Sequence, residues 1–305
     1  MSESGKIKKF ACPGENLDEI PVSLAEREGL TFPEVHSDAA RMKKLALALK
    51  EYRQDSFVHV PFCTTVLSEA LGVPVDLGGP GVAPHVKEPL FDDVSALSRS
   101  LNTDGGRVAV VLDAVRELSR TENVVLNVDG IFTIASALLD ATKIYRAMHN
   151  NGGVVAGLFE RIGAFVADYV RSGLEAGAKL ISYADPLGDI AMTGPQAFGD
   201  FVAAPTVGVI KKSLALFGEA AFSGAIFHLC GRVTNGLSHL GIVGIESAVA
   251  EGARNYGEAL LILNSTRGAC FFGNSCVKKT SLQTQPVEAY ILHLRSNSKR
   301  SGERS

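Results

Sequence analysis

The feature that most constrains the fold is the alternation of short apolar runs with longer helical patterns along most of the chain. Apolar runs of strand length cover residues 57–60, 124–128, 180–183, 225–230, 244–248 and 270–272. Helical patterns occupy residues 37–52, 131–148, 154–176 and 194–217. This alternation predicts an α/β protein with a parallel sheet and crossover helices, either open or closed into a barrel.

Composition limits the classes of protein to which the chain can belong. Its 305 residues are 46% hydrophobic and 21% charged, which is typical of a globular protein with a substantial core. The net charge of −3 gives no basic excess to neutralise phosphates, so nucleic acid is not an expected partner. No apolar leader or bilayer-length apolar run is found, so we expect a cytoplasmic protein without a membrane partner. Five cysteines in a chain of this size favour free thiols over a disulfide framework.

A histidine and a cysteine lie two residues apart in the apolar run at residues 225–230. In a β-strand, His228 and Cys230 project from the same face, about 7 Å apart. One imidazole and one thiolate are half of a tetrahedral zinc site. The alternative is a buried neutral histidine beside a cysteine that packs as a small hydrophobic residue. Gly231 ends the run, so we expect the pair at the carboxyl end of its strand, where α/β proteins place their active sites.

Polar side chains also follow other predicted strands at their carboxyl ends. These residues are His59, Cys63, Asp129, Asp185, Asn274 and Cys276. The active sites of (β/α)8 barrels are assembled from residues at such positions. Each residue alone has a structural alternative, because an aspartate can cap the next helix and a cysteine can be part of the core.

Six short segments form an ordered set that is more specific than any one of them. They are Phe-Pro-Glu-Val-His-Ser-Asp-Ala at 32–39, Pro-Phe-Cys-Thr-Thr-Val at 61–66, Glu-Ala-Leu-Gly at 69–72, Asp-Pro at 185–186, His-Leu-Cys-Gly at 228–231 and Gly-Asn at 273–274. The set resembles the methylcobalamin:coenzyme M methyltransferases and their corrinoid-dependent relatives, members of the uroporphyrinogen decarboxylase superfamily. The resemblance runs to about residue 290 and implies a (β/α)8 TIM barrel with an N-terminal helical extension.

The resemblance also implies an activity and its cofactors. It implies a methyltransferase that uses zinc and methylcobalamin, a methylated corrinoid carried by a separate corrinoid protein. The methyl group would pass to a thiol such as coenzyme M or to a related acceptor. His228 and Cys230 would bind the zinc ion, which would activate the acceptor thiol as its thiolate.

Five other strand-end residues are assigned to the same active site by this resemblance. Asp185 would orient His228 or a polar group of the substrate. His59 and Cys63 would line the same mouth of the barrel as catalytic residues. Asp129 and Asn274 are expected to contact the cofactor.

The chain departs from the family pattern after residue 290. The family's eighth strand, with a Gly-Cys-Gly that supplies a third zinc ligand, is not found there. We therefore expect a barrel that lacks its eighth βα unit. Cys276 is the nearest cysteine that can replace the third ligand, and His239 is a more distant option. Residues 1–290 are assigned to a single barrel domain and residues 291–305 to a divergent, disordered tail.

A second departure separates the chain from the decarboxylase branch. Residues 1–60 lack the Arg-x-x-Gly-Arg-Tyr loop with which that branch holds substrate carboxylates. Decarboxylation of a porphyrinogen is therefore the second hypothesis. The third is a truncated, inactive paralogue that only binds a corrinoid protein.

Overall fold

The computed structural model of the protein describes residue 10 and residues 20–98, 106–278, 282–283 and 285–295. Its strands are β1 (Val58–Val60), β2 (Val75–Asp76), β3 (His85–Val86), β4 (Val124–Asp129), β5 (Leu180–Ala184), β6 (Ile226–Cys230), β7 (Val243–Ala250), β8 (Phe271–Ser275) and β9 (Val287–Leu294). Its α-helices are α1 (Val22–Arg27), α2 (Ala39–Arg53), α3 (Val66–Ala70), α4 (Val108–Leu118), α5 (Ile131–Leu138), α6 (Ala141–Asn150), α7 (Gly152–Glu175), α8 (Ile190–Thr193), α9 (Pro195–Ala197), α10 (Ala204–Leu216), α11 (Gly231–His239) and α12 (Tyr256–Arg267).

One large sheet organises the chain, with the strand order β1-β4-β5-β6-β8-β9-β7. Strands β1, β4, β5, β6 and β8 run parallel, and β9 is antiparallel to both β8 and β7. Strands β2 and β3 form a separate antiparallel pair. The predicted α/β class with a parallel sheet is confirmed. Within the described residues no ladder joins β1 to β7, so the sheet is open between them and closure of a barrel stays a prediction.

Two segments near the end of the described chain differ from the sequence prediction. The run at residues 244–248 does not follow β6 in the parallel sheet, because β6 pairs directly with β8 and places β7 at the edge against β9. Residues 291–294, predicted to belong to a disordered tail, form the second half of β9. Alternate side chains of β9, such as Val287 and Ala289, are buried while Glu288 is exposed, which is the pattern of an antiparallel strand with one packed face. Residues 296–305 lie outside the described residues, and the single-domain assignment stays a prediction.

Some helix boundaries agree with the sequence pattern and others do not. Asp38 caps α2 by accepting a hydrogen bond from the backbone N–H of Arg41 at 2.8 Å, as its position before an apolar pattern predicts. The single helical pattern at residues 131–148 is two helices, α5 and α6. Asp140 caps α6 and accepts a bond from the N–H of Thr142 at 2.9 Å. Among the described helices, none combines the length and apolar character that crossing a membrane requires.

The parallel strands have two packed faces, and the alternation of side chains decides which residues lie on each. One face carries residues such as Leu126 and Ile181 and packs against the helices. The inner face, defined by Phe57, Val125, Leu180 and Ile226, packs against Tyr256 of α12 and the buried side of β9. Since alternate residues share a face, His59, Asn127, Ser182 and His228 are also directed to the inner face.

Candidate active site

The histidine and cysteine that dominate the sequence lie at the carboxyl end of β6, as predicted. His228 is buried and Cys230 is half-buried. The helix α11 begins at the next residue, and its Thr234 hydroxyl donates to the carbonyl oxygen of Cys230 at 3.1 Å, which fixes the strand end. Burial lowers the pKa of His228 to about 3. Its ring is therefore neutral at neutral pH, the protonation state in which histidine binds metal ions.

Tyr256, which belongs to none of the sequence motifs, contacts His228 directly. The Tyr256 hydroxyl lies 3.1 Å from Nε2 of His228, and the two rings are close to perpendicular with centroids 5.7 Å apart. Tyr256 is the first residue of α12, and Asn255 caps this helix by accepting from the N–H of Glu258 at 2.9 Å. The capped helix start thus holds the phenol against the imidazole.

Tyr256 also connects His228 to the region of Cys276. Burial raises the pKa of the Tyr256 phenol, the nearby Cys276 raises it further, and a hydrogen bond with Ser275 lowers it. Ser275 is the partner of Cys230 in the β6–β8 ladder, after a register shift. The end of β8 therefore brings Cys276 near the pair on β6. His239 ends α11, about 12 Å along the helix from Gly231, so it does not join them.

These side chains do not form a ready-made metal site. Among the described residues, no three His, Cys, Asp or Glu side chains are grouped closely enough to hold a metal ion. Nε2 of His228 is in contact with Tyr256 rather than with a second ligand. The ligand set His228, Cys230 and Cys276 therefore stays a prediction from the resemblance.

Asp185, for which the resemblance implies a catalytic role, also makes hydrogen bonds that stabilise the fold. Its side chain is fully buried and accepts hydrogen bonds from the backbone N–H groups of Phe132 and Thr133, both at 2.9 Å. These are the second and third residues of α5, so Asp185 caps that helix from the end of a neighbouring strand. A Cβ on Gly130 would lie only 2.1 Å from Cβ of Asp185, which explains the glycine at the start of α5. The described hydrogen bonds of the Asp185 side chain are made with α5 and with the N–H of Gly188 rather than with His228.

An aspartate at the end of a strand can cap the next helix, but Asp129 does not cap α5. It is buried at the end of β4 and receives a hydrogen bond from the backbone N–H of Leu67. Burial raises its pKa to about 7, although that bond and the charges of Arg107 and Lys278 act in the opposite direction. Asp129 is thus a buried carboxyl group close to two cations.

Cys63 lies beside Arg107, a buried cation that belongs to none of the sequence motifs. Nη1 of Arg107 is 3.7 Å from Sγ of Cys63, and the Thr65 hydroxyl donates to the same sulfur at 3.3 Å. Arg107 also donates to Thr65 and pairs with Glu69. Cys63 therefore has more polar contacts than a cysteine packed only among apolar side chains.

The remaining predicted strand-end residues are His59 and Asn274. His59 lies on β1 with Nε2 3.0 Å from Oδ2 of Asp55. Asn274 is buried in β8 with a φ of 51°, in the left-handed region, and its N–H donates to the hydroxyl of Thr234 at 3.2 Å. The structure groups the predicted residues at the carboxyl ends of the parallel strands, but divides them among separate clusters around Tyr256, Arg107 and Asp55.

Histidine, cysteine and aspartate at the strand ends of a parallel sheet are typical of α/β enzymes, which assemble their active sites at that edge. Residues 11–274 match the family model described as Uroporphyrinogen decarboxylase (URO-D). Because the match covers most of the chain, the protein belongs to this family. The family-level resemblance drawn from the motifs is confirmed.

Curated relatives and a solved structure of this family carry methyltransferase names. The chain is 25% identical over 257 residues to the methylcobamide:CoM methyltransferase MtaA of Methanosarcina barkeri, a match covering 79% of this chain and 73% of the relative. It is 28% identical to MtbA of Methanosarcina acetivorans, which has the same description, over 73% of this chain and 66% of the relative. A solved methyltransferase from Methanosarcina mazei has 26% identity and a TM-score of 0.62, covering 72% of this chain and 64% of the other. The chain thus spans about two thirds to three quarters of the length of these proteins.

Proposed function

We propose that the protein is a cytoplasmic methyltransferase that transfers a methyl group from a methylated corrinoid protein to a thiol, either coenzyme M or a related acceptor. The names of its relatives support the corrinoid and the thiol. The observation that carries the proposal is the pair formed by buried, neutral His228 and half-buried Cys230 at the end of β6. An imidazole and a thiol on one face of a strand are suited to a thiol-activating metal.

Zinc is the metal that fits this donor chemistry, with His228, Cys230 and Cys276 as its proposed ligands. The neutral imidazole and two thiols match the nitrogen and sulfur ligands that zinc prefers. Bound zinc would hold the sulfur of the acceptor as its thiolate at neutral pH. The corrinoid supplies the methyl group, and its chemistry belongs to the cofactor.

The residues of this chain hold the proposed zinc ligands in place and shield His228 from solvent. Tyr256 holds the imidazole of His228 through the 3.1 Å contact, and the ladder between Cys230 and Ser275 fixes the two strand ends. Burial of His228 keeps the ring neutral, so that a proton does not compete with the metal. Half-burial leaves Cys230 within reach of a ligand at the strand end.

The proposal predicts about one zinc ion per chain after purification in reducing buffer with zinc supplied. Cys230→Ala is expected to lose that zinc, and with it the transfer of methyl groups from methylcobalamin to coenzyme M. Cys270→Ala is the matched control, since Cys270 precedes β8 and stands outside the proposed ligand set. Metal content is measured by inductively coupled plasma mass spectrometry and methyl transfer by the loss of the methylcobalamin absorbance. A wild-type protein without zinc and without transfer would refute the proposal.

Porphyrinogen decarboxylation is the second candidate, because the matching family model carries the decarboxylase description. The missing Arg-x-x-Gly-Arg-Tyr loop in residues 1–60 argues against it. Turnover of uroporphyrinogen by the zinc-free protein would establish this activity in place of methyl transfer. Binding of a corrinoid protein without either reaction would instead indicate the inactive paralogue.

A further inference from the structure

Phe10 packs against the end of β6, and the proposed methyl transfer gives it no role. Its backbone N–H lies 3.4 Å from Oδ1 of Asn235, and its carbonyl oxygen accepts a hydrogen bond from Nδ2 of the same side chain at 3.1 Å. One amide side chain therefore satisfies both backbone groups of Phe10, as a neighbouring strand would. These bonds hold Phe10 against α11, although 225 positions separate it from Asn235 in the sequence.

Gly231 is the residue against which the Phe10 ring lies. A Cβ at this position would be only 2.3 Å from Cγ and from Cδ1 of Phe10. Gly231 and Asn235 are four residues apart in α11, so they lie on the same face of that helix. The glycine of the His-Leu-Cys-Gly segment thus allows the close approach of an aromatic ring to the first turn of α11.

The Phe10 ring is also close to Cys230. Cys230 directly precedes Gly231, and both Cys230 and Phe10 are half-buried. The contact with Gly231 places the ring no more than about 8 Å from Cα of Cys230. A phenyl ring packs against hydrocarbon and offers no hydrogen-bonding group. Phe10 therefore forms an apolar wall at the carboxyl end of β6.

We propose that Phe10 controls access to Cys230 and selects acceptor thiols by the width of their carbon chain. A thiol with a short, unbranched chain passes the ring and packs its methylene groups against it, whereas a branched or aromatic thiol collides with it. The selection of acceptors rests on the proposed function, because it requires that the acceptor binds at Cys230. The control of access does not, and it can be measured without methyl transfer.

The experiment follows the alkylation of each cysteine of the whole chain by a small reagent, iodoacetamide, and by a bulky one, monobromobimane. A chelator is present so that no metal protects the thiols, and peptide mass spectrometry gives the rate at each cysteine. Phe10→Ala should increase the rate of Cys230 with the bulky reagent by about five- to tenfold, because half-burial of a phenyl ring holds it in place by a factor of that order. The rate with the small reagent should increase less, so the ratio of the two rates should change.

Gly231→Ala tests the same contact with Phe10 still in the chain. The added methyl group would displace the ring, so Cys230 should again react faster with the bulky reagent. Gly208→Ala is the matched control, since Gly208 also lies in a helix, α10, and a Cβ there meets nothing within 4 Å. It should leave the rate at Cys230 unchanged. Cys270, which precedes β8, is the internal reference, and its rate should be the same in every variant.

Unchanged rates at Cys230 in both Phe10→Ala and Gly231→Ala would overturn the proposal. Equal acceleration at Cys230 and Cys270, or equal acceleration with both reagents, would also overturn it, because this is the result of a general loosening of the fold. Selective acceleration in a chain that transfers no methyl group would support control of access and contradict only the proposed function. Methyl transfer by a chain whose variants show unchanged labelling would contradict only the role of Phe10.

Discussion

Replacing Asp185 with alanine is expected to lower the free energy of unfolding by about 3–5 kcal/mol. The carboxylate is fully buried and accepts from the N–H groups of Phe132 and Thr133, from the Thr133 hydroxyl at 2.7 Å, and from the N–H of Gly188 at 3.2 Å. Alanine would leave several of these donors buried without an acceptor, at a cost of about 1–3 kcal/mol each. Urea unfolding at neutral pH, followed by far-UV circular dichroism, measures the change.

Asp189→Ala provides the control for this prediction. Asp189 caps α8 through one exposed bond to the N–H of Ala191 at 2.9 Å, so its loss should cost only about 1 kcal/mol. An unchanged stability of Asp185→Ala would support the catalytic role predicted from the sequence. If Asp185→Ala unfolds like the wild type but no longer transfers methyl groups, then Asp185 acts on the substrate or on His228 rather than on α5.

Asp185 shows which part of a strand-end prediction depends on local sequence and which part depends on the fold. Its position after a predicted strand was correct, because an apolar run followed by Asp-Pro ends a strand for local reasons. Which group its carboxylate contacts depends on the neighbouring strand, since α5 begins after β4 and not after β5. Sequence spacing contains no information about that lateral neighbour.

The difference between local sequence and lateral neighbours also explains which strands of the sheet the sequence predicts. The runs that became β1, β4, β5, β6 and β8 were predicted because each is apolar, short and followed by polar or turn residues. The position of β7 in the sheet is not predicted, because strand order depends on whether β8 or β7 makes the better ladder with β6. The strand β9 is not predicted, because its second half, Ile-Leu-His-Leu, lies beyond residue 290, where the family resemblance ends.

Tyr256 shows what sequence reasoning left out of the candidate site. It contacts a histidine 28 residues earlier in the chain, from the first turn of a helix rather than from the end of a strand. A tyrosine in a helical pattern is typical of packing, and only the fold brings it to His228. The motif therefore predicted the pair on β6, while the contacts that orient the pair required the structure.

Asp129→Asn is expected to make the protein more stable at alkaline pH, by up to about 4 kcal/mol at about pH 8, with little effect at about pH 4. Burial raises the pKa of Asp129 to about 7, far above its usual value of 3.8. The folded state therefore binds this proton more tightly than the unfolded state does, and stability falls as the pH rises from 3.8 to about 7. Asparagine keeps an oxygen that can accept from the N–H of Leu67 and removes the charge, so the variant should lack that fall.

The measurement is urea unfolding of both proteins across this pH range, with Asp113→Asn as the control. Asp113 belongs to an exposed pair with Arg116, so its change should shift the unfolding free energy by no more than about 0.5 kcal/mol at any pH. The competing possibility is that Arg107 and Lys278 stabilise the ionised carboxylate enough to outweigh its burial. In that case Asp129→Asn would be less stable than the wild type at about pH 8, and Asp129 would be an ion held by two cations, ready to contact the cofactor as the family resemblance implies.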